Sequence, residues 1–511
     1  MRFLFASVAL SLVGCSLVTS LDGLKASGVV ADAGTPLDAA PDVDAAVLDS
    51  GPPVVGTLGF VAHWATNGSA ISAVARPGGG WFIGGSFQNT LVSYVAFGGY
   101  QLPKAKGGSD IFLAALDQSG NPTALATFGA TSNDGVDAIA TDASGDIYLG
   151  GHTDGMTLGS TTLPLGAFVA KLNGKDLTKP PLWVTPFASD AAGFCPSCLK
   201  VAGTSLVALG MVGSPDYGSA TLTYGSGTTL TTNGQGDLFL ARLDASTGAV
   251  SSMAQAGSTS NDRADGLDVD EAGDAFFAAS FRGPIKTGQL FGSKVPSIVG
   301  TNAYNVVVAR VASGGNVVWS KSYGDPGSSP VTAEGIALDH AGRIAVGVTL
   351  SGGVDLGLGP IAGTNGNAAV FVMNEATQTT VFQQGIGGPQ ADYLTDVAFD
   401  PWGHLVVAGS YGAGATIGTQ ALPQTAGPAL FVAKFSPTYA LEWAHGGVAL
   451  SSDGGLATSA GVLGYHLTTA SNGAIVLAGG LFGTTEFGAG PVARLSAMPY
   501  SSDALVVGYQ P

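Results

Sequence analysis

One motif returns seven times along this chain, and that regularity constrains the fold more than any other feature. It reads "DIFLAALD" from Asp110, "AFVAKLN" from Ala167, "DLFLARLD" from Asp237, "NVVVARVA" from Asn305, "AVFVMNE" from Ala369, "ALFVAKFS" from Ala429 and "DALVVGYQ" from Asp503. Between the equivalent positions Phe112 and Leu505 the mean spacing is about 65 residues, which makes each repeat one supersecondary unit that buries its apolar faces against its neighbours.

A second motif alternates with the first: "GGWFIGGS" from Gly79, "GDIYLGG" from Gly145, "TSLVALG" from Thr204, "GDAFFAAS" from Gly273, "GRIAVGV" from Gly342, "GHLVVAGS" from Gly403 and "GAIVLAGG" from Gly473. A short apolar strand and a turn precede it, as in "DVAFDPWGH" from Asp396, where Asp and Gly three residues apart suit a tight hairpin. A third motif is an aromatic-bearing strand after the first: Trp183, Trp319, Phe382 and Trp443, with Ala124 and Ser252 in weaker copies. Its seventh copy is read at Trp64, ahead of the first full repeat, while the last "DALVVGYQP" has no such strand after it. The surplus strand complements the missing one. A strand around Phe60 to Thr66 is therefore expected to pair with one around Asp503 to Tyr509, leaving no open sheet edge. A longer link with an "FGxxxL"-like pattern (Phe97-Gly98 to Leu102, Phe291-Gly292, Phe487-Gly488) joins the two hairpins of a repeat. The expectation is all-β: a monomeric seven-bladed β-propeller over 57–511, with four-stranded blades and a ring closed by pairing of the chain ends.

These units resemble the bacterial SBBP-type β-propeller repeat family, whose pattern runs approximately "dxFvaKld..Gn.lW....fGg...D....iavD..Gn.yv.Gsf". The resemblance covers 57–511 and fails in the third repeat, where "CLKVAGTSLVALG" has lost the Asp-x-x-Gly turn. It implies the fold and use outside the cytoplasm; it carries no activity or catalytic residue to transfer, and fold alone does not assign one.

Ahead of the repeats, Met1-Arg2 is followed by an apolar run from Phe3 to Val13, which suits an export signal and is too short to span a bilayer. Leu12-Val13-Gly14-Cys15 resembles the bacterial lipoprotein signal, which implies cleavage over 1–15 and acylation of Cys15; the alternative is an ordinary signal peptide with a chance cysteine. Several acyl chains on Cys15 would anchor the chain to a lipid bilayer, where one alone binds marginally. Ser16, in place of an aspartate, implies the outer membrane by the same resemblance. Residues 16–56, with "VADAGTPLDAAPDVDAAVLDSGPP", have the Ala/Asp/Pro composition of a disordered tether. A flexible chain of that length holds the body roughly 35 Å from the lipid.

The net charge of −17, with only 19 Lys and Arg, argues against nucleic acid as a partner. In an exported chain Cys195 and Cys198 are read first as a local disulfide, with a redox or metal-binding pair and free thiols as the other readings. Acidic turns such as Asp142 with Asp146, and Asp268, Asp270, Glu271 and Asp274, lack the spacing of a calcium loop and read as turn chemistry. The histidines His63, His152, His340, His404, His445 and His466 are scattered without metal-ligand spacing. "LDASTGAVSSM" from Leu243 faintly resembles a quinoprotein repeat but occurs once, and no GxSxG or sialidase motif is present. No cofactor and no catalytic residue are assigned. Three function classes stay open: a scaffold that binds a protein or glycan through its loops, an enzyme with a site at the central channel, and a passive envelope component.

Overall fold

The structure, a computed structural model, describes residues 56–88, 94–190, 195–213, 219–225, 227–285, 291, 303–324, 330–361, 366–451, 462–493, 495 and 502–511; the side chains of 94–96, 195–197, 451 and 462–465 lie outside it. Cys15 and nearly the whole tether are therefore outside the described residues. Among those described there is no α-helix, and no helix is long and apolar enough to cross a membrane.

Among the described residues, seven antiparallel sheets hold four or more strands. The first comprises Ala70–Ala75, Trp81–Phe87, Asp110–Leu116 and Pro122–Phe128, paired in chain order as a meander. Five further sheets repeat that order, with first strands at Asp134–Thr141, Cys195–Ala202, Arg263–Val269, Val331–Leu338 and Tyr393–Phe399. The seventh takes Val462–Thr469, Ile475–Leu481 and Asp503–Tyr509 from the end of the chain and its fourth strand, Leu58–Trp64, from the beginning. Leu58 pairs with Tyr509 and Trp64 with Ala504, in the place expected from the sequence. The first strands approach one another in cyclic order, each beside the next and the seventh beside the first, which is a propeller-type arrangement. Second and third strands are buried on both faces, as in "IFLAAL" and "LVVAG", and so read as near-continuous apolar runs rather than as an alternation.

The turn between first and second strands follows the predicted chemistry. Gly145 N–H donates to the Asp142 carbonyl, while Asp142 Oδ1 accepts from the N–H groups of Ser144 and Asp146, each at 3.0 Å. The same closure joins Gly273 to Asp270 and Gly403 to Asp400. These glycines sit at φ near +80°, a conformation that a side chain disfavours.

Fourth strands carry two aromatic positions, not one. Pairing with the third strand equates Trp183, Trp319 and Trp443 with Phe60, not with Trp64. Trp64 instead matches Phe128, Phe187 and Tyr323, four residues further along. Four residues is an even number, so both positions point to one face of the strand, which sequence spacing alone does not resolve. The earlier aromatic packs on the next sheet, as Trp183 does at Gly248 and Phe60 at Gly120. The later one lies under a hairpin from the next sheet: Phe97, next to the hairpin turn, stacks on Trp64 at 4.1 Å between centroids.

The turns from first to second and from third to fourth strand lie at one end of the sheets; the connections from second to third strand, which are the longest, and those between successive sheets lie at the other. Gly56 and Pro511 both lie at the short-turn end, because Leu58–Trp64 starts and Asp503–Tyr509 finishes there.

Candidate functional site

Every first strand breaks register at the same place: between Ala70 and Ser72, Val136 and Ala138, Cys195 and Cys198, Ala264 and Gly266, Ala333 and Gly335, Leu394 and Asp396, and Gly464 and His466. A β-bulge adds one residue, re-aims its side chain and leaves backbone polar groups without a ladder partner. The added residues include Asp137, Asp265 and Glu334, so three carboxylates are placed on the innermost strands. Each meets a polar group within its own sheet. Asp137 faces His152 Nδ1 at 3.0 Å, Asp265 pairs with Arg263 at 3.0 Å and accepts from Ser280, and Glu334 accepts from Thr332 at 2.7 Å.

A second polar group lies nearer the short-turn end. Lys200 Nζ is 3.4 Å from Asp268 Oδ1; although the inner strands enclose it, 43% of its side-chain surface stays accessible, so it lines the axis rather than filling it. Asp268 Oδ2 accepts the Leu338 N–H of the next sheet at 2.9 Å, and Asp396 Oδ2 accepts the Leu467 N–H of its own next sheet at 2.9 Å. Ser72 does the same for the Ile139 N–H. Each first strand is an edge strand whose outer N–H groups have no ladder partner, and these side chains of the preceding sheet accept from them and stitch neighbouring sheets together. Gly266 and Gly335 stand where inner strands come closest: a Cβ at Gly335 would lie 2.5 Å from Asp396 Oδ1.

Burial governs the protonation of this region. It pushes the carboxyls of Glu334 and Asp396 up to about 7 and that of Asp265 up to about 6, against the lowering effect of Arg263 on Asp265 and Glu334 and of Lys200 on Asp396. It also lowers His466 to about 4, helped by the Lys200 charge, and His466 Nδ1 has no hydrogen-bond partner among the described residues. The arrangement can hold protons near neutral pH beside a fixed ammonium.

The acidic turns carry their own counter-ions. Lys171 reaches Asp142 at 2.9 Å and Asp146 at 3.4 Å, while Arg310 bridges Asp270, Asp274 and Glu375. Burial alone would raise Asp142, yet hydrogen bonds from Ser144, Lys171 and Tyr148 outweigh it and hold that carboxyl well below the usual range. The cations come from the third-from-last position of the first sequence motif. Among the described residues no three His, Cys, Asp or Glu side chains are grouped to hold a metal ion. His404 sits between Asp400 and Glu442, and His445 stacks on Tyr509. The "LDASTG" segment is a turn in which Asp244 Oδ1 accepts from Ser246 and Thr247. Cys195 and Cys198 flank the third bulge, and the Cys195 side chain lies outside the described residues.

The axial groups other than the cysteines were not expected as a cluster from the sequence. A signal exists in "VDAI", "ADGL", "AEGI" and "TDVA", each an acid inside a short apolar strand.

No family model matches the chain, and no curated protein matches it. Similar solved structures include BamB from Moraxella catarrhalis (10% identity, 89% of this chain and 100% of that one, TM-score 0.38) and the Dos1 propeller (8%, 89% and 95%, 0.38). Another is the quinohemoprotein alcohol dehydrogenase from Comamonas testosteroni (9%, 88% and 76%, 0.34).

Proposed function

We propose that this chain is a seven-bladed β-propeller closed by pairing of its ends, held at the outer membrane through an acylated Cys15 and the tether of 16–56, and serving as a non-enzymatic scaffold for a protein or glycan partner. The observation that carries this reading is the difference between the two ends of the sheets. Short turns, closed by internal ion pairs, occupy the end at which Gly56 leads back toward the tether; the long connections occupy the opposite end. A body leashed at one end presents its long connections away from the leash, and binding function gathers on such connections. The axial carboxylates fit a supporting role, since each is engaged by a neighbouring strand or side chain.

The test is in-cell crosslinking from the long-connection end, with a photoreactive residue at Tyr393, which is half exposed there, and a matched one at Trp402 on the short-turn end. One partner crosslinked from Tyr393 and not from Trp402, and lost when Cys15 is replaced, supports the reading. Crosslinks from Trp402 alone overturn the assignment of faces. A second reading, an enzyme with its site at the axis, is favoured by the accessible Lys200 beside Asp268, Asp396 and His466. It requires a small molecule whose binding raises the melting temperature of the wild type and not of Lys200→Met.

A further inference from the structure

We propose that Asp237 and Asp262 form a proton-held lock between the third and fourth sheets at the long-connection end: one proton shared by the two carboxyls keeps the connections there closed, and its loss loosens them. Three inter-sheet junctions share one layout. At the entry to a first strand, the N–H groups of Asp134, Asp262 and Asp392 donate to the carbonyls of Ser109, Gly236 and Gly366. Each aspartate therefore lies beside the start of the preceding sheet's third strand, at Asp110, Asp237 and Asn367 respectively. A glycine five residues earlier in the loop closes over the pair. A Cβ at Gly129 would lie 2.4 Å from Asp110 Oδ1, one at Gly257 2.3 Å from Asp237 Oδ1, and one at Gly387 2.6 Å from Asp392 Oδ2 and 3.0 Å from Asn367 Nδ2. The next N–H, of Ala130, Ser258 or Gly388, donates to Oδ2 of the aspartate.

Where the fifth sheet meets the sixth, the aspartate faces an amide; where the third meets the fourth, it faces a second carboxyl. Asp237 and Asp262 are fully buried, and neither Asp237 Oδ1 nor the Oδ1 of Asn261, beside Asp262, has a hydrogen-bond partner among the described residues. Asp237 Oδ2 accepts from the Asn233 N–H at 2.6 Å and from the Gln255 side chain, and Asp262 Oδ1 from the Ser258 hydroxyl and the Arg282 N–H, each at 3.0 Å. These donors are neutral. Of the titratable side chains on the neighbouring strands, Arg263 pairs with Asp265 at 3.0 Å, Arg282 is exposed, and the Tyr304 hydroxyl takes the Asn261 amide. Two buried carboxylates so placed repel one another, and a single proton relieves the repulsion. A calcium ion would need about six to eight oxygens, whereas both oxygens of Asp262 and one of Asp237 already accept from donors. The junction of the first and second sheets is a weaker copy, because the charges of Lys106 and His152 partly offset burial at Asp110 and Asp134.

Burial pushes Asp237 up to about 6 and, with the Asp237 charge added, Asp262 up to about 7, and the two titrate as a pair. Both values lie above the ordinary carboxylate range, so closure is fullest below that range and is lost as pH rises through the folded values. The lock stands on this junction and not on the partner-binding reading, so either can fail alone.

The test is amide exchange of the full chain from about pH 6 to about pH 8, corrected for the intrinsic pH dependence of exchange and read at Asn233, Ser258, Asp262 and Arg282. Protection of these amides in the wild type should fall about tenfold over that range. Asp237→Asn, which copies Asn367, and Asp262→Asn each leave one carboxyl beside an amide, and the fall should shrink to about twofold or less. A wild type whose corrected protection stays level overturns the lock whatever the variants do. Variants that keep the tenfold fall overturn it as well. So does calcium chloride that restores protection at about pH 8 in the wild type and not in Asp237→Asn, since a metal ion and not a proton then joins the pair.

Discussion

Replacing Trp64 with alanine tests whether the pairing of the N-terminal strand with the C-terminal one is the weak point of the proposed ring. Trp64 ends the N-terminal strand, is 6% exposed, pairs with Ala504 and stacks on Phe97 at 4.1 Å with 13° between ring planes. Truncating a buried Trp costs about 3–5 kcal/mol, to which the ring pair contributes about 0.5–1.5 kcal/mol. Net stabilities of folded domains are about 5–15 kcal/mol, so the loss is a large fraction of the whole. Phe187→Ala is the matched control: it is the equivalent residue of the second sheet, buried, in contact with Tyr224, and on a strand joined to its own sheet by the chain. Both variants should lower the urea midpoint. Only Trp64→Ala should speed amide exchange together in Leu58–Trp64 and Asp503–Tyr509, at urea concentrations where the other sheets stay protected. If Trp64→Ala costs less than about 1 kcal/mol, or if its exchange change matches that of Phe187→Ala, the junction is not the weak point and the argument fails.

Three further outcomes follow from the same packing. Burial raises Asp262, Glu334 and Asp396 to about 7 and Asp237 to about 6; such groups contribute most below the ordinary carboxylate range and lose that contribution as pH rises through the folded value. The urea midpoint should therefore fall from about pH 5 to about pH 8, and the slope should be shallower in Asp396→Asn. Lys434→Met removes the ammonium 3.0 Å from Asp400 where both side chains are almost fully buried, leaves that carboxylate only His404 and the turn N–H groups, and should cost about 3 kcal/mol by thermal or chemical melting. Gly335→Ala introduces a Cβ 2.5 Å from Asp396 Oδ1 and should cost about 1–3 kcal/mol, with the loss reduced in an Asp396→Ser background.

What could be read in advance followed from short-range rules. The Asp-x-x-Gly turns were legible because a φ near +80° selects glycine and the carboxylate closes the loop through local N–H groups. The pairing of Leu58–Trp64 with Asp503–Tyr509 was legible because one surplus strand and one missing strand can be counted. The placement of Trp64 was not: an apolar strand with aromatics at two even-spaced positions gives spacing no preference between them, and only the partner's register decides.

The axis was hidden for a related reason, and it changes how the low charge content should be weighed. Few charged residues on mostly small inner strands argue against a polar channel only if every acid in such a strand points where simple alternation sends it. A bulge at the same step of each first strand overrides alternation, so Asp137, Asp265 and Glu334 reach the innermost layer from sequences that read as ordinary half-buried strands. The open edge of each first strand also leaves backbone N–H groups, at Ile139, Leu338 and Leu467, which donate to Ser72, Asp268 and Asp396 of the preceding sheet. Scarce charge is therefore concentrated where it joins one sheet to the next. Lys200 is the axial group that this joining role accounts for least, because its ammonium meets Asp268 only at 3.4 Å and keeps much of its surface open. Substitution of Lys200 thus separates the two readings of the axis, since a purely structural ring should tolerate Lys200→Met with little change in stability, and a ligand site should not keep its ligand.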